Sequence, residues 1–437
     1  MDVFDVHAYP DSPDTSTWTE ARKQALAVRI YRDYWDPTYV SESSSINQNW
    51  ATFIQPNKTI PFRIPRIRAT ANMIYPGTPV SFTEWSAAFG GESDFSTALG
   101  DADAYGILGR ERVYLASRWV APVPTNANYL ALKLFTNYDG QHHRFAATSV
   151  SDTNNGDPNL FSSYAALGST GTALTMLVLN KDPANTVQAQ FAVTGFTPTQ
   201  VTSYTLASTN PTKIVASKPA PWSSTMSFAP YTATLLVATG TSLLPGGEWD
   251  LNPDTTMVAA GKQVTLHPKI TSGTATVTLG APQADSGIKV SVTQPTLSSG
   301  HNGSITVTAA ATPGFYHYSV PSTDTTGAAQ WQSGWILVGN PPASLTKTGD
   351  NQKGAAGSKL NLSVTLNPGQ SGGNAAGGTI LFTSSAGSLS SRTVTTDSSG
   401  KAAVVLTLPA TPETVHVTAE GQYALGHPVV TLTETAQ

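Results

Sequence analysis

The stretch Tyr75-Pro76-Gly77-Thr78-Pro79-Val80-Ser81-Phe82-Thr83-Glu84-Trp85 is the point from which the fold can be read. Pro76 and Gly77 punctuate the end of one element. The alternation of Val80 and Phe82 with Ser81 and Thr83 then has the period of two that marks a β-strand. That strand carries Glu84 to its C-terminal tip, with the indole of Trp85 beside it. In a barrel of parallel strands wrapped by helices, strand C-termini are where catalytic side chains converge. Glu84 is therefore a candidate for chemistry, the bland alternative being a solvent-facing acid at a strand end.

Working outward, Asp2 to Pro10 has apolar residues at Val3, Phe4 and Val6 and is stopped by Pro10, which predicts a short strand ending in His7 and Tyr9. An aromatic-rich connection from Trp18 to Phe53 follows, holding Tyr31, Tyr34, Trp35, Tyr39 and Trp50, with a helical segment near Thr19 to Tyr34. Such rings suit the apolar faces of sugars, but also plain packing. Ile64, Ile67, Ala71 and Ile74 recur at spacings of three and four, predicting an amphipathic helix that Pro65 opens in its first turn. Downstream of Trp85 come a helix capped by Asp94 and running to Leu108, a strand over Arg112 to Trp119, and a helix over Asn126 to Tyr138.

Strands and helices in strict alternation imply a parallel sheet with right-handed crossovers. Three such units are present, whereas a closed barrel needs eight and about 250 residues. Met1 is followed at once by Asp2, Val3 and Phe4, residues of the kind found inside a domain. No secretory signal is visible, and the chain is expected to begin inside a longer ancestral sequence.

Composition narrows the function classes. The chain has 437 residues, enough for three or four domains, with 12% charged residues and a net charge of −4. That balance provides no basic face for nucleic acid or an anionic membrane. There is no cysteine, so disulfides and thiolate metal sites are excluded. No apolar run approaches the roughly 20 residues that span a bilayer. His142-His143 could pair on a metal, yet neighbours on extended chain point apart, which favours a solvated loop. Asp101, Asp103 and Glu111 could bind calcium, but without a compact oxygen-rich loop they read as helix-surface charge, with Arg110 and Glu111 as a structural ion pair. No cofactor motif and no metal site is assigned.

Several segments, in order, resemble glycoside hydrolase family 44, the bacterial endoglucanases and xyloglucanases: Asp2-Val-Phe-Asp-Val-His-Ala-Tyr-Pro10, Trp35-Asp-Pro-Thr-Tyr-Val40, Ile64-Pro-Arg66, Tyr75-Pro-Gly-Thr78, Phe82-Thr-Glu-Trp85, Ala104-Tyr-Gly-Ile-Leu-Gly-Arg-Glu111 and Asn137-Tyr-Asp-Gly140. The resemblance covers roughly residues 1 to 243. It implies a retaining glycosidase built as a barrel plus a β-sandwich, with residues 1–142 as the last three βα units of the barrel and 143–243 as the companion sandwich. Glu84 matches the family's nucleophile, His7 and Tyr9 match the strand end lining the glycone side, and Trp119 matches the aromatic at the last barrel strand. Trp85, beside the nucleophile, is a candidate sugar platform.

A retaining enzyme needs a second carboxyl group as acid/base. Family members carry it in an Asn-Glu pair on an earlier strand, and no Asn-Glu pair lies upstream of Glu84 here. Glu20, Glu42 and Glu92 are the local acids, none on a strand end. The chain alone is therefore expected to be inactive on cellulose or xyloglucan.

From about Arg144 the pattern changes to short alternating runs, among them Ala173 to Leu179, Val187 to Val193, Val201 to Leu206 and Ala233 to Val237, as a sandwich requires. Leu244-Pro-Gly-Gly247 marks a linker. Alternating runs then predict an immunoglobulin-like module at 248–340. After Gly339-Asn-Pro-Pro342 comes a second at 343–437, similar to bacterial surface repeats that carry a Thr-Asp-x-x-Gly turn. Trp331 and Trp335 are the aromatics of interest there, read as core packing. The expected function is that of an extracellular or cell-surface glycoside hydrolase remnant directed at plant cell-wall β-glucans. The alternative is a non-catalytic polysaccharide-binding or adhesive protein.

Overall fold

A computed structural model describes residues 2–10, 12–42, 60–89, 91–339, 342–368, 375–421 and 428–437. Trp50 and Phe53 of the aromatic connection, and Asn340 and Pro341 between the last two modules, lie outside the described residues. The first part of the chain holds β1 (Phe4–His7), α1 (Glu20–Ala27), α2 (Arg32–Trp35), α3 (Arg63–Ile74), β2 (Val80–Trp85), α4 (Phe95–Arg110), β3 (Leu115–Arg118) and α5 (Ala127–Thr136). The three strands form one sheet in the order β1-β2-β3, and both pairings are parallel.

Local chemistry sets these boundaries. The Thr19 hydroxyl accepts from the Arg22 amide to cap α1, and the Asp94 carboxylate accepts from the Ser96 amide at 2.7 Å to cap α4. Caps of this kind stabilise a helix by about 1 kcal/mol. After α3, Gly77 takes the left-handed conformation at φ +82°, and its amide donates to the Asn72 side chain at 2.9 Å. The helix end is thereby closed and the chain turned into β2.

The helices cover one face of this sheet. Leu26, Ile30, Tyr31 and Tyr34 meet Val80, Phe82 and Trp85 in a core that continues into the next part of the chain through Tyr164, Leu177, Leu179, Leu206 and Leu235. Those residues belong to a seven-stranded sheet in which Phe196–Ala207, Thr232–Ser242, Ala173–Asn180 and Phe161–Leu167 run antiparallel side by side. The strand Ala173–Asn180 is apolar on both faces for a reason. Leu177 and Leu179 face the helices, while Met176 and Val178 join a second cluster with Phe196 and Phe228. The two-stranded ribbon Val187–Gln190 with Thr225–Phe228 supplies part of that second cluster.

Two further sandwiches follow. In one, a six-stranded and a three-stranded sheet share the core of Val264, Leu266, Ile305 and Val307 against Val277, Tyr318, Ile336 and Val338. In the other, a four-stranded and a five-stranded sheet enclose Leu362, Val364, Val404 and Leu406 against Ile380, Phe382, Val417 and Leu432. The segment Leu244-Pro-Gly-Gly247, expected as a linker, is held in place. The Gly246 amide donates to Asp324 Oδ2 at 2.6 Å, and Gly247 opens the strand Gly247–Asp250. Trp335 packs edge-on against Phe62 just before α3, with ring centroids 4.8 Å apart, whereas Trp331 stays 42% exposed.

The expectation of helix-surface charge on α4 needs correction. Asp101 and Asp103 are 0% and 2% exposed, because α4 is covered on more than one side. Asp101 meets Arg118 Nε at 2.9 Å, and Asp103 meets Lys181 Nζ at 2.8 Å.

Candidate active site

The C-terminal ends of β1 and β2 bring His7, Tyr9 and Glu84 together, and Trp119 follows the end of the adjoining β3. His7 Nδ1 lies 3.1 Å from Glu84 Oε2, and the Tyr9 hydroxyl donates to the same oxygen at 2.9 Å. The Glu84 side chain is 27% exposed and so remains reachable from solvent. Trp119 follows β3 directly and is 58% exposed. Backbone bonds continue the sheet beyond its strands: Ala8 N donates to Glu84 O at 2.8 Å and Trp119 N to Trp85 O at 2.9 Å. These bonds hold the three strand tips side by side.

The aim of Glu84 comes from a local irregularity. Val6 pairs with Phe82 but His7 with Glu84, and on the other side Ala116 pairs with Phe82 but Arg118 with Trp85. Both neighbours therefore see one extra residue in β2 after Phe82. A bulge of this kind re-aims the side chains beyond it. Strict alternation would place Glu84 on the buried side with Phe82 and Trp85 on the open side with Thr83. The bulge exchanges them.

Trp85 is accordingly not a sugar platform. It is 1% exposed, packed edge-on against Tyr31 and Tyr105 with ring centroids 5.9 and 5.4 Å away. An indole sealed in the helix layer cannot stack on a ligand. Its part is to press the strand tip onto the core from behind. Tyr34, 0% exposed, donates its hydroxyl to the Ala8 carbonyl and anchors the β1 tip in the same way.

The open face is polar. Asp5 accepts from the Ser81 hydroxyl at 2.5 Å and from the Thr83 hydroxyl at 2.6 Å, and these bonds hold its carboxyl below the usual range. Partial burial and the Glu84 carboxylate raise the Tyr9 hydroxyl above its ordinary value, so it stays a hydrogen-bond donor. Neither Asp5 nor its partners stood out in the sequence. A carboxylate inside an otherwise apolar short strand was the available signal.

Behind Trp119, Arg118 is 4% exposed and binds three oxygens: Glu92 Oε2 at 2.8 Å, Asp101 Oδ2 at 2.9 Å and the Val120 carbonyl at 2.6 Å. It fixes the chain on both sides of Trp119. Burial raises Asp101 to about 7, against the opposing pull of Arg118. The remaining acids weighed as partners for Glu84 are engaged elsewhere: Glu20 with Lys23 at 2.8 Å and Glu42 with Arg29 at 2.9 Å, while Glu92 also accepts from Asn128 at 3.0 Å. His142 and His143 are both exposed, and His143 Nδ1 contacts Asp139 at 2.5 Å. Among the described residues no group of three or more His, Asp or Glu side chains is placed to hold a metal ion.

Chemically, the site presents the Glu84 carboxylate, steadied by two partners, on a polar sheet surface that also carries Asp5, with an exposed indole at the adjoining tip. That suits attack on an electrophilic carbon next to a ring that can stack.

No protein-family model matches the chain. Endoglucanase A of Paenibacillus lautus is 30% identical over 202 residues, which cover 45% of this chain and 27% of that protein. The beta-mannanase/endoglucanase A of Caldicellulosiruptor saccharolyticus is 28% identical over 214 residues, 44% of this chain and 15% of that protein. The chain thus spans well under half the length of these curated relatives. Among solved structures, a Paenibacillus polymyxa xyloglucanase of glycoside hydrolase family 44 is 29% identical with a TM-score of 0.48, covering 55% of this chain and 47% of that one. A bifunctional glucanase-xylanase from a metagenome library is 31% identical with a TM-score of 0.47, covering 55% and 44%. In its sequence the chain resembles the endoglucanases and xyloglucanases of glycoside hydrolase family 44.

Proposed function

We propose that this chain carries the nucleophile half of a retaining glycoside hydrolase site for plant β-1,4-glucans of the cellulose or xyloglucan type. One observation supports the reading: the Glu84 carboxylate, held by His7 and Tyr9, stands at the C-terminal end of a parallel strand, and the exposed Trp119 directly follows the adjoining strand. On this reading β1 to β3 are the last three strands of a (β/α)8 barrel, residues 143–243 its companion sandwich, and 248–340 and 343–437 two immunoglobulin-like modules. A polymeric substrate places the protein outside the cell or on its surface.

In the reaction, a Glu84 oxygen attacks the anomeric carbon as the bond to the leaving oxygen breaks. A second carboxyl group, about 5–5.5 Å away, protonates that oxygen and later activates water. Glu20, Glu42 and Glu92 are each committed to a cation, and Asp5, held below the usual carboxylate range by the Ser81 and Thr83 hydroxyls, is a poor proton donor. The chain by itself therefore binds glucan without cutting an unactivated bond.

A substrate whose leaving group needs no proton separates the two halves. With 2,4-dinitrophenyl 2-deoxy-2-fluoro-β-cellobioside, the Glu84 oxygen displaces dinitrophenolate and retains the sugar as an ester. Mass spectrometry is expected to find the adduct on the peptide containing Glu84, and none in Glu84→Gln. Adduct on another residue would overturn the assignment of Glu84. Reducing ends released from xyloglucan, and abolished by Glu84→Gln, would overturn the half-site reading. Binding of xyloglucan without any adduct, lost in Trp119→Ala, would favour the purely adhesive alternative.

A further inference from the structure

A cleft of about 740 Å³ lies where the C-terminal end of α4, the first sandwich and the second sandwich meet. His7, Tyr9, Glu84 and Trp119 take no part in its lining. Its size falls in the range of small-molecule sites, and junctions between structural units are where such sites concentrate. Arg110 comes from the end of α4, Asp152 from the first sandwich, and Gln283, Asp285, Trp331 and Ser333 from the second.

The chemistry of this lining is specific. Trp331, Ser333 and Trp335 alternate along one strand, and their paired neighbours Pro321, Ser319 and His317 lie across from them. Trp335 is taken up by Phe62 and His317, which leaves the half-exposed ring of Trp331 as the free aromatic surface. The Arg110 guanidinium is oriented by the Trp35 ring 4.3 Å beneath it and by Glu111 at 3.0 Å. Its Nη2 is buried with no hydrogen-bond partner, and the guanidinium forms part of the cleft wall. From the first sandwich, Asp152 accepts from Ser163 at 2.9 Å and is pushed up by burial.

Charge then decides the ligand class. The lining arginines are matched by acids: Arg110 by Glu111, and Arg68 and Arg112 by Asp254 at 3.9 and 3.7 Å. With Asp152 and Asp285 in addition, no excess of positive charge remains for a phosphate or a polyanion. What the lining offers is a ring to stack on, carboxylates that accept, and guanidinium and amide groups that donate. Sugars present both an apolar ring face and hydroxyls that donate and accept.

We propose that this cleft is a second, non-catalytic glycan site, which holds a neutral oligosaccharide stacked on Trp331 and hydrogen-bonded by Arg110, Asp152 and Asp285. The choice of cellohexaose and the xyloglucan heptasaccharide as probes rests on the proposed function; the site itself does not. The full chain carrying Glu84→Gln and Trp119→Ala is titrated with cellohexaose, mannohexaose and a xyloglucan heptasaccharide by calorimetry. At least one probe is expected to bind this double variant. Adding Trp331→Ala is expected to weaken that binding about tenfold or more, and Trp331→Phe to keep most of it. Should Trp331→Ala lose the wild-type thermal transition, Gln283→Ala and Asp285→Asn at the rim carry the same test. Binding unchanged by these substitutions, or no probe bound by the double variant, would overturn the proposal. Adduct formation at Glu84 in the same preparation reads the first site separately, so each site stands or falls by its own measurement.

Discussion

Lys181 and Asp103 are joined at 2.8 Å with both side chains sealed from water, and this contact ties α4 to the sheet beneath it. The ammonium also donates to the Pro158 carbonyl at 2.8 Å and the Ser162 hydroxyl at 2.9 Å, so all three of its hydrogens are used. The second Asp103 oxygen accepts from the Tyr164 hydroxyl at 2.6 Å.

Removing one partner of such a pair strands the other as an uncompensated buried charge. Lys181→Met is expected to destabilise the unit containing α4 by about 3–5 kcal/mol in urea unfolding. The double variant Lys181→Met/Asp103→Asn, which removes both charges, is expected to be less destabilised than the single one. Equal losses in the two would mean that packing, and not charge, holds this contact.

Tyr9 gives a prediction about reactivity. Its hydroxyl donates to the Glu84 oxygen at 2.9 Å, and a hydrogen bond to a charged group contributes about 1.5–3 kcal/mol. Tyr9→Phe keeps the ring and removes that bond. The rate of adduct formation at Glu84 is expected to fall by roughly tenfold or more, with the thermal transition lowered by no more than a few degrees. An unaltered rate would leave His7 as the partner that matters.

Asp324 predicts a dependence on pH. Burial pulls its carboxyl up, but hydrogen bonds from Thr326, Gly246 and Ala328 outweigh that and hold it at about 2. An unfolded aspartate titrates near 3.9. The folded pKa is the lower one, so this contribution to stability is fully present above about pH 4 and fades as pH falls toward 2. Asp324→Ala should therefore melt several degrees below the wild type at pH 7, with the gap closing near pH 2.5. A gap of the same size at both pH values would rule out the ionised carboxylate as its source.

Period and punctuation were enough to read the order of strands and helices in the first part of the chain. The run Val80 to Phe82, the cap at Asp94 and the close at Pro76-Gly77 are local signals, and local interactions decide them. The facing of residues at the tip of β2 was not legible in that way. A bulge depends on what the neighbouring strands present, and one extra residue reversed the expectation for Trp85. Asp101 and Asp103 looked like solvated helix charge because their partners lie outside the helix, Arg118 at the end of β3 and Lys181 just past the strand Ala173–Asn180. The ring of Trp331 was assigned to a core that only Trp335 enters. In each case the deciding neighbour is distant in sequence, where composition and spacing carry no information.

The core that unites the helices with Leu177, Leu179 and Leu235 has a consequence for biosynthesis. The helical segment leaves the ribosome well before the strand that carries Leu235 has been made. At about 5–20 residues per second, the greasy side of α4 waits on the order of ten seconds for its cover. During that interval Leu99, Ala102 and Ile107 are open to chaperones or to another nascent chain, and slower translation through residues 110–235 would lengthen the exposure.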